Sequence, residues 1–171
     1  SNETPWGTMK YLELSETKSL PRVASIQNAY NLVNRGFEIG LSEIAMQEQV
    51  GLLAYSPLAQ GTLTGKYLNG QMPQGSRLAL FGDTPLMMRY KGDKTQKAIE
   101  MYVEVAKKFE IDPTQLAIQF CNIQPFVTSN IIGATTMEQL KICIDSIHLD
   151  INKEIMNEIR KVHKEIPNPA P

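Results

Sequence analysis

The sequence is poor in the side chains that build metal and redox sites. It has two cysteines and two histidines, and neither pair has the short spacing of a CxxC motif or a zinc site. Cys121 and Cys143 each lie in a stretch with helical apolar spacing, which favours buried free thiols. His148 and His163 lie in or beside amphipathic runs, where a solvent-facing imidazole is ordinary. We therefore expect no metal site and assign neither histidine a catalytic role.

An excess of charge of one sign is also missing. The 171 residues include 17 basic and 18 acidic ones, a formal net charge of -1, and no Lys/Arg run indicates nucleic acid or an anionic membrane as partner. No apolar stretch approaches the ~20 residues that a membrane span needs. The first residues, 1–5, lack the basic and apolar parts of a signal peptide. We expect a cytoplasmic protein that binds neither nucleic acid nor membrane.

Short apolar runs alternate with amphipathic stretches along the chain. The runs at 23–27, 51–55 and 127–132 have the length of buried strands. Because a helix that joins two strands returns the chain to the same end of the sheet, these strands are predicted to be parallel. The apolar fraction of 42% fits one globular domain of the α/β class.

Caps and apolar spacing predict the helices. Thr4-Pro5 and Asp112-Pro113 each combine a capping side chain with proline in the first turn. A capping box, formed by Thr135 with Glu138 or by Thr136 with Gln139, precedes the helix that carries Met137, Leu140, Ile144 and Ile147. Further helices are predicted over 37–45, 99–109 and 151–162. Residues 68–92 show no period, which predicts a long loop of the lid or binding type.

All three predicted strands end in polar side chains. They are Gln27-Asn28, Tyr55-Ser56 and the stretch 133–136. Ligands of parallel α/β sheets bind at the carboxyl ends of the strands, so a binding site is predicted at this edge. Loops after strands are often polar in any protein, so the ligand has to be inferred from the side chains themselves.

The stretch YSPLAQGTLTGKY, residues 55–67, contains a Gly-Lys pair of the kind found in phosphate-binding loops. A P-loop has four residues between its glycines and a Ser or Thr after the lysine. Here three residues separate Gly61 from Gly65, and Tyr67 follows Lys66. The spacing argues against a nucleotide triphosphatase and leaves either another phosphate-binding loop or a surface loop rich in small residues.

The chemistry of these side chains favours a nicotinamide dinucleotide. Tyr55 offers a flat face to a planar ring, and the Gln27 amide offers a donor and an acceptor to a carboxamide. Gly133 permits close backbone approach, and the helix that follows begins with free amides suited to phosphate. Lys66 and Arg77 add positive charge. The alternatives are a core aromatic at Tyr55 and a solvated loop charge at Lys66.

Three stretches, SIQNAYNLVNR, LLAYSPLAQGTLTGKY and IIGATTMEQL, resemble the second half of the aldo-keto reductases, in particular the bacterial Tas-like branch related to potassium-channel beta subunits. The resemblance covers essentially the whole chain in the right order. It implies the C-terminal portion of a (β/α)8 TIM barrel, with about three to four parallel strands, flanking helices and a C-terminal helix. It also implies metal-free hydride transfer from NADPH to a small carbonyl substrate.

The same resemblance implies a role for each site residue. Ser1 and Asn2, with Gln27, would hold the nicotinamide carboxamide, and Tyr55 would stack on the ring. The loop over the pyrophosphate and ribose would contain Ser56, Pro57, Leu58, Gln60, Gly61, Thr64 and Lys66. The remaining residues would lie near the cofactor phosphates (Arg77) or hold the adenosine 2'-phosphate and adenine (Gly133, Thr135 and Gln139). Cys143 stands where many relatives have asparagine, so one hydrogen bond to adenine is expected to be missing.

No residue of the sequence matches the catalytic Asp, Tyr, Lys and His of the family, which come from the first half of the barrel. We therefore assign no catalytic residue. A complete barrel has eight strands and about 250 residues, and a part-barrel exposes strand edges that invite pairing with another chain. Three explanations stay open: a partial sequence, a half-barrel that assembles with the missing N-terminal half or a second chain, and a cofactor-binding remnant without chemistry.

The sequence thus predicts that residues 1–171 form the C-terminal part of one aldo-keto reductase barrel domain. We expect this portion to bind NADPH and to be inactive alone. The alternative is a non-enzymatic nucleotide-binding regulatory subunit resembling the potassium-channel beta subunits. A second alternative is another phosphate-binding barrel with different chemistry.

Overall fold

Three parallel strands form the sheet of this protein. The computed structural model describes all residues, 1–171. Strands β1 (Ser25–Ala29), β2 (Gly51–Tyr55) and β3 (Val127–Asn130) lie in the order β1-β2-β3, and both neighbours run parallel to β2. The predicted α/β class and the parallel pairing are confirmed. The open sheet and its flanking helices have the arrangement of part of a (β/α)8 barrel.

Eight α-helices accompany the sheet. In chain order they are α1 (Pro5–Lys18), α2 (Leu41–Gln47), α3 (Arg77–Phe81), α4 (Pro85–Met88), α5 (Asp93–Lys108), α6 (Pro113–Asn122), α7 (Met137–Asp145) and α8 (Lys153–Glu165). The predicted caps of α1 and α6 are confirmed, since Thr4 Oγ1 accepts from the Gly7 amide and Asp112 Oδ1 accepts from the Thr114 amide. No helix has the length and apolar content needed to cross a membrane.

The first and third strands differ in their bounds from the prediction. β1 begins two residues later than predicted, because its five residues pair with those of β2, from Ser25 opposite Gly51 to Ala29 opposite Tyr55. β3 stops at Asn130, which lies opposite Ala54 near the end of β2. Gln27, predicted as the last residue of the strand, and Asn28 therefore both lie within β1.

Two predicted segments also have a different local structure. The helix predicted over 37–45 is divided, because Gly40 has a φ of 85° and separates a 3-10 turn at Gly36–Glu38 from α2. The predicted long loop at 68–92 contains α3 and α4. α3 begins at a side-chain cap, in which Ser76 accepts from the Ala79 amide, and α4 begins with a proline in its first turn. Helices of five and four residues are too short to produce an apolar period in the sequence.

One face of the sheet is covered and the other is open. Ile26 and Leu52 lie on the covered face and are buried in the main core cluster. Successive residues of a strand point to opposite faces, so Gln27 and Leu53 lie on the open face, where both are half-buried, together with the exposed Ser129. Parallel sheets are normally covered on both faces. The open face of this sheet is therefore a surface on which a ligand or another chain can lie.

Apolar side chains also face outward from two helices. On α7 and the turn after it, the predicted stripe is exposed, with Met137 78%, Ile144 51% and Ile147 60% accessible. Trp6 on α1 is 76% accessible. The cysteines behave differently, since Cys121 and Cys143 are buried free thiols as predicted.

A cluster of aromatic and charged side chains holds the chain where it leaves β1. The Tyr30 ring lies 5.8 Å from that of Phe120 and meets Phe126 edge-on at 5.2 Å. The Tyr30 hydroxyl donates to Glu38 Oε1 at 2.6 Å, and Arg35 donates to both oxygens of the same carboxylate at 2.6 and 2.8 Å. The cluster joins the segment after β1 to α6 and to the start of β3.

The ionisation of Glu38 depends on these hydrogen bonds. Burial acts to raise the pKa of the Glu38 carboxyl, but the bonds from Arg35 and Tyr30 outweigh it and leave the pKa below its ordinary value. Burial and the Glu38 carboxylate together raise the pKa of the Tyr30 hydroxyl far above its ordinary value. Glu38 is therefore the charged acceptor of the cluster at neutral pH, and Tyr30 is a neutral donor.

Replacing Glu38 should destabilise the fold in a pH-dependent way. Glu38→Gln is expected to lower the free energy of unfolding by roughly 1.5–3 kcal/mol near neutral pH, because hydrogen bonds to a charged group are lost. The pKa of Glu38 is lower in the folded chain than the ordinary 4.5. Its contribution is therefore present above the unfolded-state pKa and is lost as the pH falls through the folded-state pKa.

Urea unfolding of the wild type and Glu38→Gln over a range of acidic to neutral pH measures this dependence. The difference in unfolding free energy should shrink below pH 4.5. Glu104→Gln, which changes an exposed carboxylate of α5, is the matched control and should change stability little at any pH. A difference for Glu38→Gln that stays constant down to the acid limit of folding contradicts the assignment.

Candidate functional site

The carboxyl ends of the three strands lie side by side. The Tyr30 amide, just after β1, donates to the Tyr55 carbonyl at 3.3 Å, and the Ile131 amide, just after β3, donates to the Ala54 carbonyl at 2.7 Å. The segments that leave β1 and β3 therefore both contact the end of β2. The chain segments that follow β1 and β3 thus share one edge of the sheet with the end of β2.

The first residues of the chain contact this edge next to β1. The Asn2 amide donates to the Gln27 carbonyl at 2.8 Å, and Ser1 Oγ donates to the same carbonyl at 3.2 Å. The Tyr55 hydroxyl donates to Asn2 Oδ1 at 2.8 Å. Of the residues predicted to hold a nicotinamide, Ser1, Asn2, Gln27 and Tyr55 are thus neighbours, although residues 1 and 27 are far apart in sequence.

A second group of predicted residues surrounds the loop after β2. Gln60 Nε2 donates to Ser56 Oγ at 2.8 Å, and an Arg77 guanidinium nitrogen donates to Gln60 Oε1 at 2.6 Å. Arg77 is exposed at the start of α3. Arg77 therefore contacts the loop after β2, and its segment is helical and not the irregular loop that was predicted.

Lys66 folds back over this loop. Its Nζ and Cε atoms lie 3.1 Å from the position that a Cβ would occupy on Gly61, whose φ is 92°. Its Nζ also lies 5.1 Å from the centre of the Tyr67 ring. A side chain at position 61 would strain the backbone and displace Lys66. Glycine at 61 therefore allows the charge to lie against the loop.

Three other predicted residues shape the loop. Thr64 Oγ1 donates to the Gly61 carbonyl at 2.8 Å. Pro57 is buried, and Leu58 is half-buried and packs against the main core cluster. These contacts anchor the loop on the protein, and the other predicted polar side chains of the loop are those of Ser56, Gln60 and Lys66.

The backbone of this loop is strained. Ser56, Ala59 and Gln60 all have left-handed φ values, of 55°, 48° and 60°, in a region that costs a non-glycine residue of order 1–3 kcal/mol. Hydrogen bonds from the Ala59 amide to the Ser56 carbonyl and from the Gly61 amide to the Leu58 carbonyl hold the turn. Strain of this kind is concentrated at functional sites.

A third group lies at the start of α7. Thr136 Oγ1 accepts from the Gln139 amide at 3.2 Å, so of the two predicted capping boxes the pair Thr136 and Gln139 forms the cap. The Gln139 side chain accepts from the Thr135 amide and hydroxyl, both at 3.0 Å, and not from the Thr136 amide. No protein atom lies within 4 Å of a Cβ built on Gly133. The chain itself therefore has room for a side chain at position 133.

The structure does not join all three groups equally. Hydrogen bonds link the first group internally and the second internally, and Tyr55 and Ser56 connect them through the backbone. The Thr135 and Gln139 side chains bond to each other. Their segment is connected to the first two groups only through the pairing of β3 with β2. Two shallow surface hollows lie elsewhere, one between α5 and α8 and one on α7.

Asn31 is the residue that sequence reasoning missed. It is fully buried after β1, and its Nδ2 donates to the Ser56 carbonyl at 3.0 Å. The signal in the sequence is one asparagine between two large residues that are buried, Tyr30 and Leu32. Buried asparagines usually bond to backbone groups of a turn, but the sequence does not show which distant backbone group is bonded.

Comparison with known proteins assigns this chain to a family. The model of the Aldo/keto reductase family matches residues 1–164. Protein tas of Escherichia coli (strain K12) is 50% identical to this chain over 171 residues, which cover 100% of this chain and 49% of the relative.

Two relatives with lower identity also match this chain. L-glyceraldehyde 3-phosphate reductase of Escherichia coli (strain K12) is 35% identical over 147 residues, 82% of this chain and 41% of the relative. A probable voltage-gated potassium channel subunit beta of Oryza sativa subsp. japonica is 33% identical over 175 residues, 95% of this chain and 53% of the relative. The chain spans about half the length of the curated relatives it matches. It belongs to the aldo/keto reductase family.

Proposed function

We propose that residues 1–171 form the C-terminal part of one NADP-dependent aldo-keto reductase domain, which binds NADPH at the carboxyl ends of β1, β2 and β3. The complete enzyme would reduce aldehydes or ketones by hydride transfer. The observation that carries the proposal is the group formed by Asn2, Gln27 and Tyr55, in which the Tyr55 hydroxyl bonds to Asn2 and the Asn2 amide bonds to the Gln27 carbonyl. NADPH, when bound, supplies the hydride.

The nicotinamide end of the site would be held by this group. The bond from the Tyr55 hydroxyl to Asn2 Oδ1 restricts the tyrosine ring, which suits it to stack on a planar ring. Because Asn2 Oδ1 accepts from Tyr55, the side-chain nitrogen Nδ2 of Asn2 is left to donate to a carboxamide oxygen. The half-buried Gln27 on the open sheet face supplies a second amide.

The phosphate end would be held by charge and by backbone amides. Lys66 lies over the loop after β2, and Arg77 reaches the same loop through Gln60. The first amides of α7 have no partner within the helix and carry its positive dipole end. Thr135 and Gln139 are exposed beside these amides, so they can meet a ribose phosphate without displacing core side chains.

The chain's own residues support binding and not the chemical step. The Asp, Tyr, Lys and His that carry the reaction in the family have no counterpart among residues 1–171. We propose that this portion is inactive alone and requires the N-terminal half of a barrel or a second chain. The open sheet face and the exposed α7 stripe, with Met137 and Ile144, support such pairing. The cytoplasmic location stays a prediction from the sequence.

A second candidate is a non-enzymatic nucleotide-binding subunit. The 33% identity to a probable potassium channel subunit beta supports it. The two candidates differ in the half of the barrel that this sequence does not contain. Tight NADPH binding without turnover, together with a complete protein that lacks the catalytic tyrosine, would favour the regulatory subunit.

Removing the ring of Tyr55 should weaken NADPH binding. Tyr55→Ala is expected to raise the Kd by about fivefold to tenfold, because stacking on an aromatic ring contributes roughly 1–1.5 kcal/mol. Tyr55→Phe keeps the ring and loses only the bond to Asn2, so it should bind within about threefold of the wild type. Fluorescence titration with NADPH measures both variants.

Tyr11→Ala is the control for that titration, because Tyr11 is an exposed tyrosine of α1 away from the strand ends. Its NADPH affinity should equal that of the wild type. An unchanged affinity of Tyr55→Ala would contradict stacking on Tyr55 and would favour a phosphate-binding barrel of another chemistry.

Lys66 and Arg77 should make the chain prefer NADPH to NADH, provided that one of them bonds to the adenosine 2'-phosphate, the only group in which the two cofactors differ. The wild type is expected to bind NADPH about tenfold or more tightly, because a charge-assisted hydrogen bond contributes roughly 1.5–3 kcal/mol. Lys66→Ala and Arg77→Ala should each reduce that ratio, and Arg160→Ala, an exposed arginine of α8, should not. Equal affinities of the wild type for the two cofactors would refute the assignment.

The purified chain should not catalyse carbonyl reduction. We expect no NADPH consumption above background with a panel of small aldehydes and ketones, since no residue is placed to donate the proton. The absorbance of NADPH measures consumption, and a full-length reductase of the family serves as the positive control. Turnover by a preparation proven free of full-length enzyme would contradict the proposal.

A further inference from the structure

Asn31 joins two of the loops at the strand ends. Its Oδ1 accepts from the amides of Val33 at 3.0 Å and Asn34 at 2.9 Å, which closes the turn after β1. Its Nδ2 donates to the carbonyl of Ser56, 25 residues away and just after β2, at 3.0 Å. The side chain is 0% exposed. All three of these bonds go to backbone groups, so the amide determines where the two loop backbones lie relative to each other.

Ser56 is the residue at which the second loop becomes strained. Its φ of 55° is left-handed, and its carbonyl accepts from both Asn31 Nδ2 and the Ala59 amide, the latter at 2.9 Å. The Ala59 bond lies within the loop and moves with it. The Asn31 bond comes from another segment, so it can fix the loop to the rest of the protein. A strained conformation persists only when its surroundings determine it in this way.

The loop that begins at Ser56 carries the groups assigned above to the cofactor. Ser56 Oγ accepts from Gln60, and Gln60 accepts in turn from Arg77. Lys66 lies against Gly61 at the far end of the same loop. A shift of the Ser56 backbone would therefore move the whole chain of contacts from Ser56 to Arg77.

We propose that Asn31 is a positioning residue that fixes left-handed Ser56 and so presets loop 56–66 before any cofactor binds. It touches no part of a ligand itself and acts through the Ser56 carbonyl. The effect on NADPH affinity rests on the proposed function above. The effect on the loop does not.

Substitutions at position 31 can separate this role from general stability. Asn31→Ser can still accept from the amides two and three residues on, as serine does in turns, but its short side chain does not reach Ser56. Asn31→Asp keeps the size and the two accepted bonds and replaces the donor with an oxygen. Asn34→Ser is the matched control, because Asn34 is a buried asparagine of the same turn whose Oδ1 accepts from the Gly36 amide and which has no bond to Ser56.

Hydrogen exchange of the ligand-free chain tests the proposal directly. The amides of Gly61, Leu63 and Gly65, which donate within loop 56–66, should exchange about tenfold faster in Asn31→Ser than in Asn34→Ser. The amides of β2 should exchange alike in the two variants. Asn31→Asp should show the same pattern, and it decides the question if Asn31→Ser does not fold. Equal loop exchange in a folded Asn31 variant and in Asn34→Ser overturns the proposal.

Titration of the same variants with NADPH and NADH adds the functional consequence. Asn31→Ser should weaken both cofactors by a similar factor of about tenfold, because the lost element is preorganisation and not a charge. Lys66→Ala should instead change the ratio between the two cofactors. If the wild type binds neither cofactor, the proposed function fails, and the exchange measurement still decides the role of Asn31. Faster loop exchange with unchanged affinity would show that loop 56–66 does not contribute to binding, and would overturn the cofactor part of the inference.

Discussion

The parallel pairing of β2 with both of its neighbours is the constraint on which the candidate site depends. Because β1 and β3 run in the same direction as β2, all three carboxyl ends lie at one edge of the sheet. The bonds from Tyr30 to the Tyr55 carbonyl and from Ile131 to the Ala54 carbonyl extend this alignment past the strands. Without it, the polar side chains that follow the strands would be three unrelated surface groups.

The chain that leaves each strand is held in a different way. After β1, the Tyr30 and Arg35 side chains converge on Glu38 among aromatic rings, and Asn31 bonds across to Ser56. After β2, the backbone adopts left-handed conformations that the loop's own hydrogen bonds and Asn31 sustain. After β3, a capped helix start presents backbone amides. The first two segments are rigid supports, and the third is an exposed helix end suited to an anion.

Membership of the aldo/keto reductase family agrees with a candidate site built from the segments that follow three parallel strands. The chain matches about half the length of its relatives, and the strand ends at which we propose the cofactor site lie within that half. The open face of the sheet and the outward stripe of α7 extend the same pattern, because these surfaces would be covered in a closed barrel.

The sequence alone determined the alternation of strands and helices, the bounds of β2, the caps at Thr4 and Asp112, and the family, because each of these depends on neighbouring residues or on long contiguous motifs. It did not determine that β1 ends at Ala29, because that bound is set by register with β2. It also did not reveal α3 and α4, which are shorter than an apolar period can show. Only the tertiary structure joined Asn2 to Tyr55 and Asn31 to Ser56, because a hydrogen bond across 53 or 25 residues exists only after the sheet has brought those backbones together.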